Sequence, residues 1–549
     1  MKRKRGIKIT IGLLVCTVIL TACSGGAGGT TKSDGKKDIA LNTKSEFPVV
    51  TEELKMTMMG QNTGLAEWKD MPTLIEYAKK TGIDFDYITP PMSDFGTKLN
   101  LAFASGDLPD VIFGSSSNEL TPAMEMDYGA QGILLPLEGY IDEYMPNFKK
   151  LLDADPSILK SITTPDGHIY TLPMISTGAT AIWPRGPMWY RGDWLEKLNV
   201  KELPKTTDEF YTLLKRFRDE DPNGNGKADE IPLTDVKMDS TRPWLMAAFG
   251  MKTRGIEEHD GKVSYSPISE NYKAYLEFMN KLYSEKLLDQ EVYGQADEQK
   301  KSKGQNNEIG LFPDWSSFFT TGKTEEEALG DPMFQPLSSK WSPETIVPGS
   351  PKMTRATFAI TNKNPSPEAS LRWVDYFYSE EGSEYLNNGP ENAFWKWATN
   401  DAGEKVRVYA DNVDKKKLED ERGKVTPNYG LTVPTVGIDL KPEQTIRMNA
   451  NDKPNVLFTE WVNKETSEKI TPYAEVAFPL VYLTKEESDK VRDTTTDLTA
   501  YVEQMEAKFI TGVEPLSKWD DYVKTINSMG IKEYVATYQE AYDRWADTK

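Results

Sequence analysis

The two cysteines of this 549-residue chain, Cys16 and Cys23, both stand among its first 23 residues. Everything after Cys23 therefore folds without disulfides, thiolate metal sites or a cysteine nucleophile. From Pro48 onward the chain is globular in character, and about 500 residues exceed what one hydrophobic core serves, so two or more lobes are expected. No internal repeat or low-complexity run interrupts this body.

The first 23 residues have their own pattern. Lys2-Arg3-Lys4-Arg5 precede an apolar run from Ile9 to Leu20, which ends in Leu20-Thr21-Ala22-Cys23. A basic start, an apolar core of about a dozen residues and small residues before the cut are the parts of an export signal. With cysteine after the cut, the segment resembles a bacterial lipobox: residues 1–22 are expected to be removed and the Cys23 thiol to carry the lipid (palmitate or a similar acyl chain). The apolar run is too short to span a bilayer, which takes roughly 20 apolar residues. No later run reaches that length, so the lipid is the only membrane attachment expected.

Loss of Lys2, Arg3, Lys4, Arg5 and Lys8 takes the formal net charge from −20 to −25. So acidic a body repels nucleic acid and acidic lipid alike. Residues 23–47 read as a flexible tether: Ser24-Gly25-Gly26-Ala27-Gly28-Gly29 is followed by Thr, Lys, Ser and Asp without apolar periodicity.

The next stretch alternates in type. Leu54, Met56 and Met58 mark a strand ending at Gly60. Met71, Leu74, Ile75 and Ala78 mark a helical face stopped by Gly82, and Ile83, Phe85 and Tyr87 a second strand. Phe95, Leu99, Ala102 and Phe103 mark a second helix, and Val111-Ile112-Phe113 a short buried strand. Strand, helix, strand, helix, strand predicts a parallel sheet covered on both faces, with ligands bound beyond the carboxyl ends of its strands. Gln61 and Asn62, and Gly114-Ser115-Ser116-Ser117-Asn118, occupy those ends.

Several short segments then carry a resemblance over nearly the whole chain: Ala104-Ser105-Gly106-Asp107-Leu108-Pro109-Asp110, Leu135-Pro136-Leu137-Glu138 and Asp166-Gly167-His168-Ile169-Tyr170-Thr171-Leu172-Pro173. Pro367-Glu368-Ala369, Ser379-Glu380-Glu381-Gly382, Lys508-Phe509-Ile510-Thr511-Gly512 and Trp519-Asp520-Asp521-Tyr522 follow. In this order behind a lipobox the chain resembles the solute-binding lipoproteins of bacterial ABC sugar importers, in the LplA-like group related to the alginate-binding proteins. The resemblance implies an α/β, two-lobed periplasmic-binding-protein-like (type II) fold with a hinge and extra C-terminal helices. It also implies a monomer that hands an oligosaccharide to ABC permease subunits. The lobes are expected at 48–176 plus 357–440 and at 177–356 plus 441–549. Where relatives often have Gly-x-Glu-Gly, this chain has Gly389-Pro390-Glu391-Asn392.

Asp221-Pro222-Asn223-Gly224-Asn225-Gly226-Lys227 is the front half of a calcium loop. Oxygen side chains stand at its first, third and fifth positions, Gly at the sixth and a carbonyl donor, Lys227, at the seventh. The twelfth position is Pro232 rather than Glu. By resemblance to the alginate-binding proteins, Asp229 and Glu230 are placed to substitute for it, and the expected ion is a structural Ca2+.

Sugars pair an apolar C–H face with a rim of hydroxyls, so their sites combine flat aromatics with a few aimed polar groups. Among 13 tryptophans, Trp183, Trp244, Trp315 and Trp395 lie outside clear helical faces and are the expected platforms, with Gln61, Asn62 and Arg242 as polar partners. Arg185, Arg191, Arg242 and Arg355 flank the same regions, and two of them in a cleft would favour a uronic acid. Trp373, Trp461, Trp519 and Trp545 fall in amphipathic helices and are expected in the core.

The competing classes are a secreted polysaccharide-active enzyme and a peptide-binding or adhesin lipoprotein on the same scaffold. A glycosidase needs two carboxyl groups roughly 5–10 Å apart, which 85 acids could supply by chance. His168 and His259, about 90 residues apart, have no metal-ligand spacing, and no Gly-x-Ser-x-Gly is present. The reading adopted is a binder, not an enzyme.

Overall fold

The computed structural model describes residues 39–176, 186–415, 417–437, 441, 444–452 and 457–548. Cys23, Trp183, Arg185 and the expected crossing at Ser176-Thr177-Gly178 fall wholly or partly outside that set.

The alternation at the start folds as its period demands. Leu54–Met59, Ile83–Ile88 and Val111–Phe113 are parallel strands, with Leu54 paired to Ile83 and Met58 to Val111. Helices Pro72–Thr81 and Met92–Ser105 connect them, each stopped by a left-handed glycine, Gly82 or Gly106. The first helix turns differently from its expected face. Met71 and Leu74 are buried, but Tyr77 goes fully inside and Ile75 is exposed, because the Tyr77 hydroxyl donates to Trp373 O at 2.7 Å. A buried phenol needs such a partner.

The full sheet has six strands in the order 436–437, 171–176, 353–360, 111–113, 54–59, 83–88. Met353–Ile360 is antiparallel to both its neighbours and so returns a distant part of the chain to the sheet centre. Leu54, Met56, Met58, Val111 and Phe113 pack into one core with Leu371, Trp373, Val374 and Tyr378. Met59 and Ile112 pack on the opposite face with Phe95, Leu99 and Phe103. Both faces are covered, as a parallel sheet requires.

A second sheet has Ile309–Pro313 at its centre, parallel to Ile231–Leu233 and antiparallel to Met188–Tyr190. Its core takes in Trp189, Trp194, Trp244, Phe312 and Phe334, and also Leu498, Val502, Phe509, Trp519 and Tyr522 from the C-terminal helices Lys485–Thr511 and Trp519–Ser528. The amphipathic end of the chain therefore packs on the second sheet. It also reaches the first: Trp545 Nε1 donates to Ser161 Oγ at 3.4 Å, and Lys160 Nζ to Ala546 O at 2.9 Å.

Candidate functional site

At the carboxyl end of Leu54–Met59 the chain turns at Gly60, where a Cβ would lie 2.2 Å from the Trp68 ring, so only glycine fits. Gln61 follows, 8% exposed, and its Nε2 donates to Gly114 O at 2.9 Å. The Asn62 main chain bonds Pro90 O at 2.9 Å and Met92 N at 3.2 Å, while its side chain caps Gly64 N at 2.7 Å. The adjacent loop is tied as firmly: Gly114 N donates to Thr357 O at 2.8 Å, and Ser116 N to Glu119 Oε2 at 3.0 Å. Leu431 and Val433 lie against Gly114, and Thr63 against Gly430. The expected Gln61 and Asn62 are thus brought together with Ser115, Ser116 and the Tyr429-Gly430-Leu431 strip. That strip has no local sequence signal, because its position depends on the return of the chain from residue 360.

The second sheet presents an aromatic surface at the same relative place. Trp315, two residues past the central strand Ile309–Pro313, is 60% exposed, and Phe319 is 50% exposed. Their loop is held from below. Asp314 accepts from Trp315 N at 2.8 Å and Thr320 Oγ1 at 2.7 Å, Lys300 Nζ donates to Pro313 O at 2.6 Å, and Trp189 Nε1 to Asp314 O at 2.9 Å. Gly186, at φ +85°, lets another strand pass where a Cβ would come within 2.3 Å of the Asp314 carbonyl carbon. A large apolar ring kept out of the core by a rigid loop is a contact surface. Phe319 escaped the sequence reading, its only sign being its place four residues after Trp315.

Two expected ligand residues are corrected. Trp244 is 3% exposed, edge-to-face with Phe334 at 6.0 Å, and belongs to the core of the second lobe. Arg242 belongs to a buried ion pair: its Nε meets Glu506 Oε1 at 2.6 Å, Arg254 Nη1 meets the same oxygen at 3.1 Å, and the Tyr272 hydroxyl donates to Glu506 Oε2 at 2.8 Å. Burial works to raise the Glu506 carboxyl, but the two guanidinium groups overcome it and hold it below the ordinary value. Trp395 is half-buried on the Trp395–Thr399 strand, where Arg407 lies 4.4 Å from its ring centroid and Gly389 O accepts its indole N–H at 3.1 Å. Arg191 donates to Gly304 O at 2.9 Å, and Arg355 stacks 4.0 Å from the Tyr482 ring centroid. The described arginines of the sequence set are therefore all engaged within the protein. His168 lies in a surface turn, 2.6 Å from Glu138.

The Asp221 loop folds around its own carboxylates. Asp221 Oδ1 accepts from Asn225 N at 3.1 Å and Oδ2 from Gly226 N at 3.2 Å, while Asn223 and Asn225 turn their amides to Asp229 at 2.9 and 3.0 Å. Lys227 N donates to Asn225 Oδ1 at 2.7 Å. Glu230 is 9% exposed, and its Oε1 has no hydrogen-bond partner among the described residues. Burial raises its pKa, and the charges of Asp229 and Asp221 add to the effect. Among the described residues no cluster of three or more His, Cys, Asp or Glu stands at metal-binding separation. The oxygen-only donor set, with one buried oxygen left over, nevertheless fits a hard cation.

Two α/β lobes, each with ligand-accessible loops at the carboxyl ends of its strands, define a bilobal binding protein. The chain belongs to the bacterial extracellular solute-binding proteins, whose family profile matches residues 65–384. Members of this family bind solutes and are not enzymes. The chain is 29% identical over 575 residues, covering 100% of both chains, to the fructooligosaccharide ABC transporter substrate-binding protein FusA of Streptococcus pneumoniae. The structure of FusA with kestose superposes with a TM-score of 0.66 at 27% identity, covering 90% of this chain and 100% of that one. An EF-hand mutant of FusA has been solved with fructo-nystose. A solute-binding protein from Bifidobacterium longum infantis shares the fold, with a TM-score of 0.71 at 22% identity over 90% of this chain and 100% of that one. No described helix is long and apolar enough to cross a membrane.

Proposed function

We propose that this protein is the substrate-binding lipoprotein of an ABC importer, capturing an oligosaccharide between its lobes and delivering it to membrane permeases. The observation that carries this reading is Trp315, 60% exposed on a hydrogen-bonded loop at the carboxyl end of the central strand of the second sheet, with Phe319, 50% exposed, four residues further on. A pyranose or furanose ring stacks on such a surface, while Gln61, Asn62 and Ser116 of the first lobe supply polar groups to its hydroxyls. The full-length likeness to a fructooligosaccharide-binding protein supports the ligand class. Lobe one comprises 48–176 plus 357–440 and lobe two 177–356 plus 441–549, except that 353–356 go with lobe one, because Met353–Ile360 is a single strand of the first sheet. Cys23 carries the lipid that holds the monomer at the outer face of the cell membrane.

Calcium completes the reading. Asp221, Asn223, Asn225, Asp229, Glu230 and the Lys227 carbonyl would hold the ion, whose charge relieves the crowding of carboxylates in the loop. What supports it is the orphaned Glu230 oxygen together with the loop spacing. The role is structural. Calorimetric titration of the mature protein with kestose, nystose and a panel of plant glycans tests the function. Saturable binding without turnover is the expected result; hydrolysis, or no binding to any glycan, overturns it.

A further inference from the structure

A group of buried ionisable side chains that the binding site does not use gathers where Tyr482 enters the first lobe. Glu125, on helix Pro122–Ala130, is fully buried, and its Oε2 accepts from Thr171 Oγ1 and from the Tyr482 hydroxyl, each at 2.9 Å. Glu125 Oε1 and Arg355 Nε have no hydrogen-bond partner among the described residues. The Arg355 guanidinium lies 4.0 Å from the Tyr482 ring centroid and donates to Ser161 O at 3.3 Å. Tyr482 comes from the second lobe: Ala477 O accepts from Glu258 N at 2.8 Å, Phe478 packs on Tyr538 and Tyr542, and Arg544 Nη2 donates to Tyr482 O at 3.0 Å. Residues 477–484 thus leave the second lobe, plug the first with one tyrosine, and return into helix Lys485–Thr511.

The plug is wired to the cleft floor. Arg355 sits where the strand Met353–Ile360 slips register, and the next residue, Ala356, has φ +64°, a left-handed conformation that costs a non-glycine residue energy. Ala356 O accepts from Ser115 Oγ, Thr357 O from Gly114 N at 2.8 Å, and Gly114 O from Gln61 Nε2 at 2.9 Å. Glu125 and Thr171 hold the plug, Arg355 touches it, and the two residues after Arg355 hold the cleft loop.

We propose that Glu125, Arg355 and Tyr482 are positioning residues that couple the contact between the lobes to the ligand-facing loop Gly114–Ser117. Displacing Tyr482 moves Arg355, hence the Ala356 bulge, hence Ser115. The coupling is sensitive to pH. Burial raises the Glu125 carboxyl above the ordinary 4.5, and Arg355, Thr171 and Tyr482 oppose the rise. Other charged groups nearby are already paired: Asp127 with Lys485 at 3.5 Å, Glu487 with Arg544 at 2.6 Å, and Asp166 with the Tyr170 hydroxyl at 2.9 Å. The raised value means that the packed plug binds this proton more tightly than an opened one, so the plug is firmest below that value and loosens as pH rises through it and Glu125 takes on a buried charge.

The test compares the wild-type mature chain with Glu125→Gln and Tyr482→Phe, both near-isosteric. Hydrogen exchange without ligand should change together at 481–484 and at 114–117, quickening about tenfold or more in Tyr482→Phe and slowing in Glu125→Gln. Kestose titration from about pH 5 to pH 8 rests on the proposed function; there the wild type should weaken about fivefold toward the alkaline end and Glu125→Gln should be flat. Faster exchange confined to 481–484, or a lower melting temperature with wild-type affinity and pH profile, overturns the coupling. If the wild type does not bind kestose, the sugar reading fails for that ligand, and the ligand-free exchange result still decides the coupling.

Discussion

Replacing Trp315 by alanine separates a contact surface from a packing residue. A tryptophan that is fully buried removes about 200 Å² from water, worth about 5 kcal/mol at 25 cal/mol per Å². Trp315 is 60% exposed, so its truncation should cost at most about 2 kcal/mol of stability. A sugar covering one face of the exposed ring would bury about 60 Å² more, about 1.5 kcal/mol, so Kd should rise roughly tenfold. Trp244→Ala is the contrast. At 3% exposure its removal opens a cavity and should cost about 3–5 kcal/mol. Urea unfolding and calorimetric titration, each done on both variants, give the four numbers. Should Trp315→Ala lose several kcal/mol while the remaining folded protein binds as tightly as wild type, the ring is a packing element and the platform is wrong.

Chelation should lower the melting temperature, added calcium should restore it, and Asp221→Ala should abolish both responses by removing a carboxylate from the loop; identical melting curves with and without chelator would dispose of the site. In the metal-free protein the raised Glu230 pKa means that the folded state binds its proton more tightly than the unfolded state. Its contribution to stability is present below the ordinary 4.5 and lost as pH rises through the raised value, a loss that calcium should cancel and Glu230→Gln should remove. Arg242→Ala leaves the Glu506 carboxylate, 1% exposed, with only Arg254 and Tyr272, and should destabilise by about 3 kcal/mol. Glycan affinity per folded molecule should stay the same, and a selective loss of affinity would return Arg242 to the ligand set.

The parallel start of the fold was legible in the sequence because the signals are local. Alternation in Leu54, Met56 and Met58 requires a strand with one buried face, and Gly82 and Gly106 end helices by backbone freedom alone. The spacing of Asp221, Asn223, Asn225 and Gly226 was readable for the same reason, since the loop makes its bonds to itself. The tertiary structure alone decided which tryptophans face out. Trp244 and Trp315 stand in similar sequence surroundings, but one meets Phe334 in the core while Asp314, Lys300 and Trp189 hold the other's loop at the surface. Arg242 looked like a ligand until Glu506, 264 residues later, took its charge. Local periodicity fixes which face of an element is apolar. Partners far apart in the chain meet only when the lobes are complete, and burial, on which the role of each aromatic and arginine depends, is a property of that meeting.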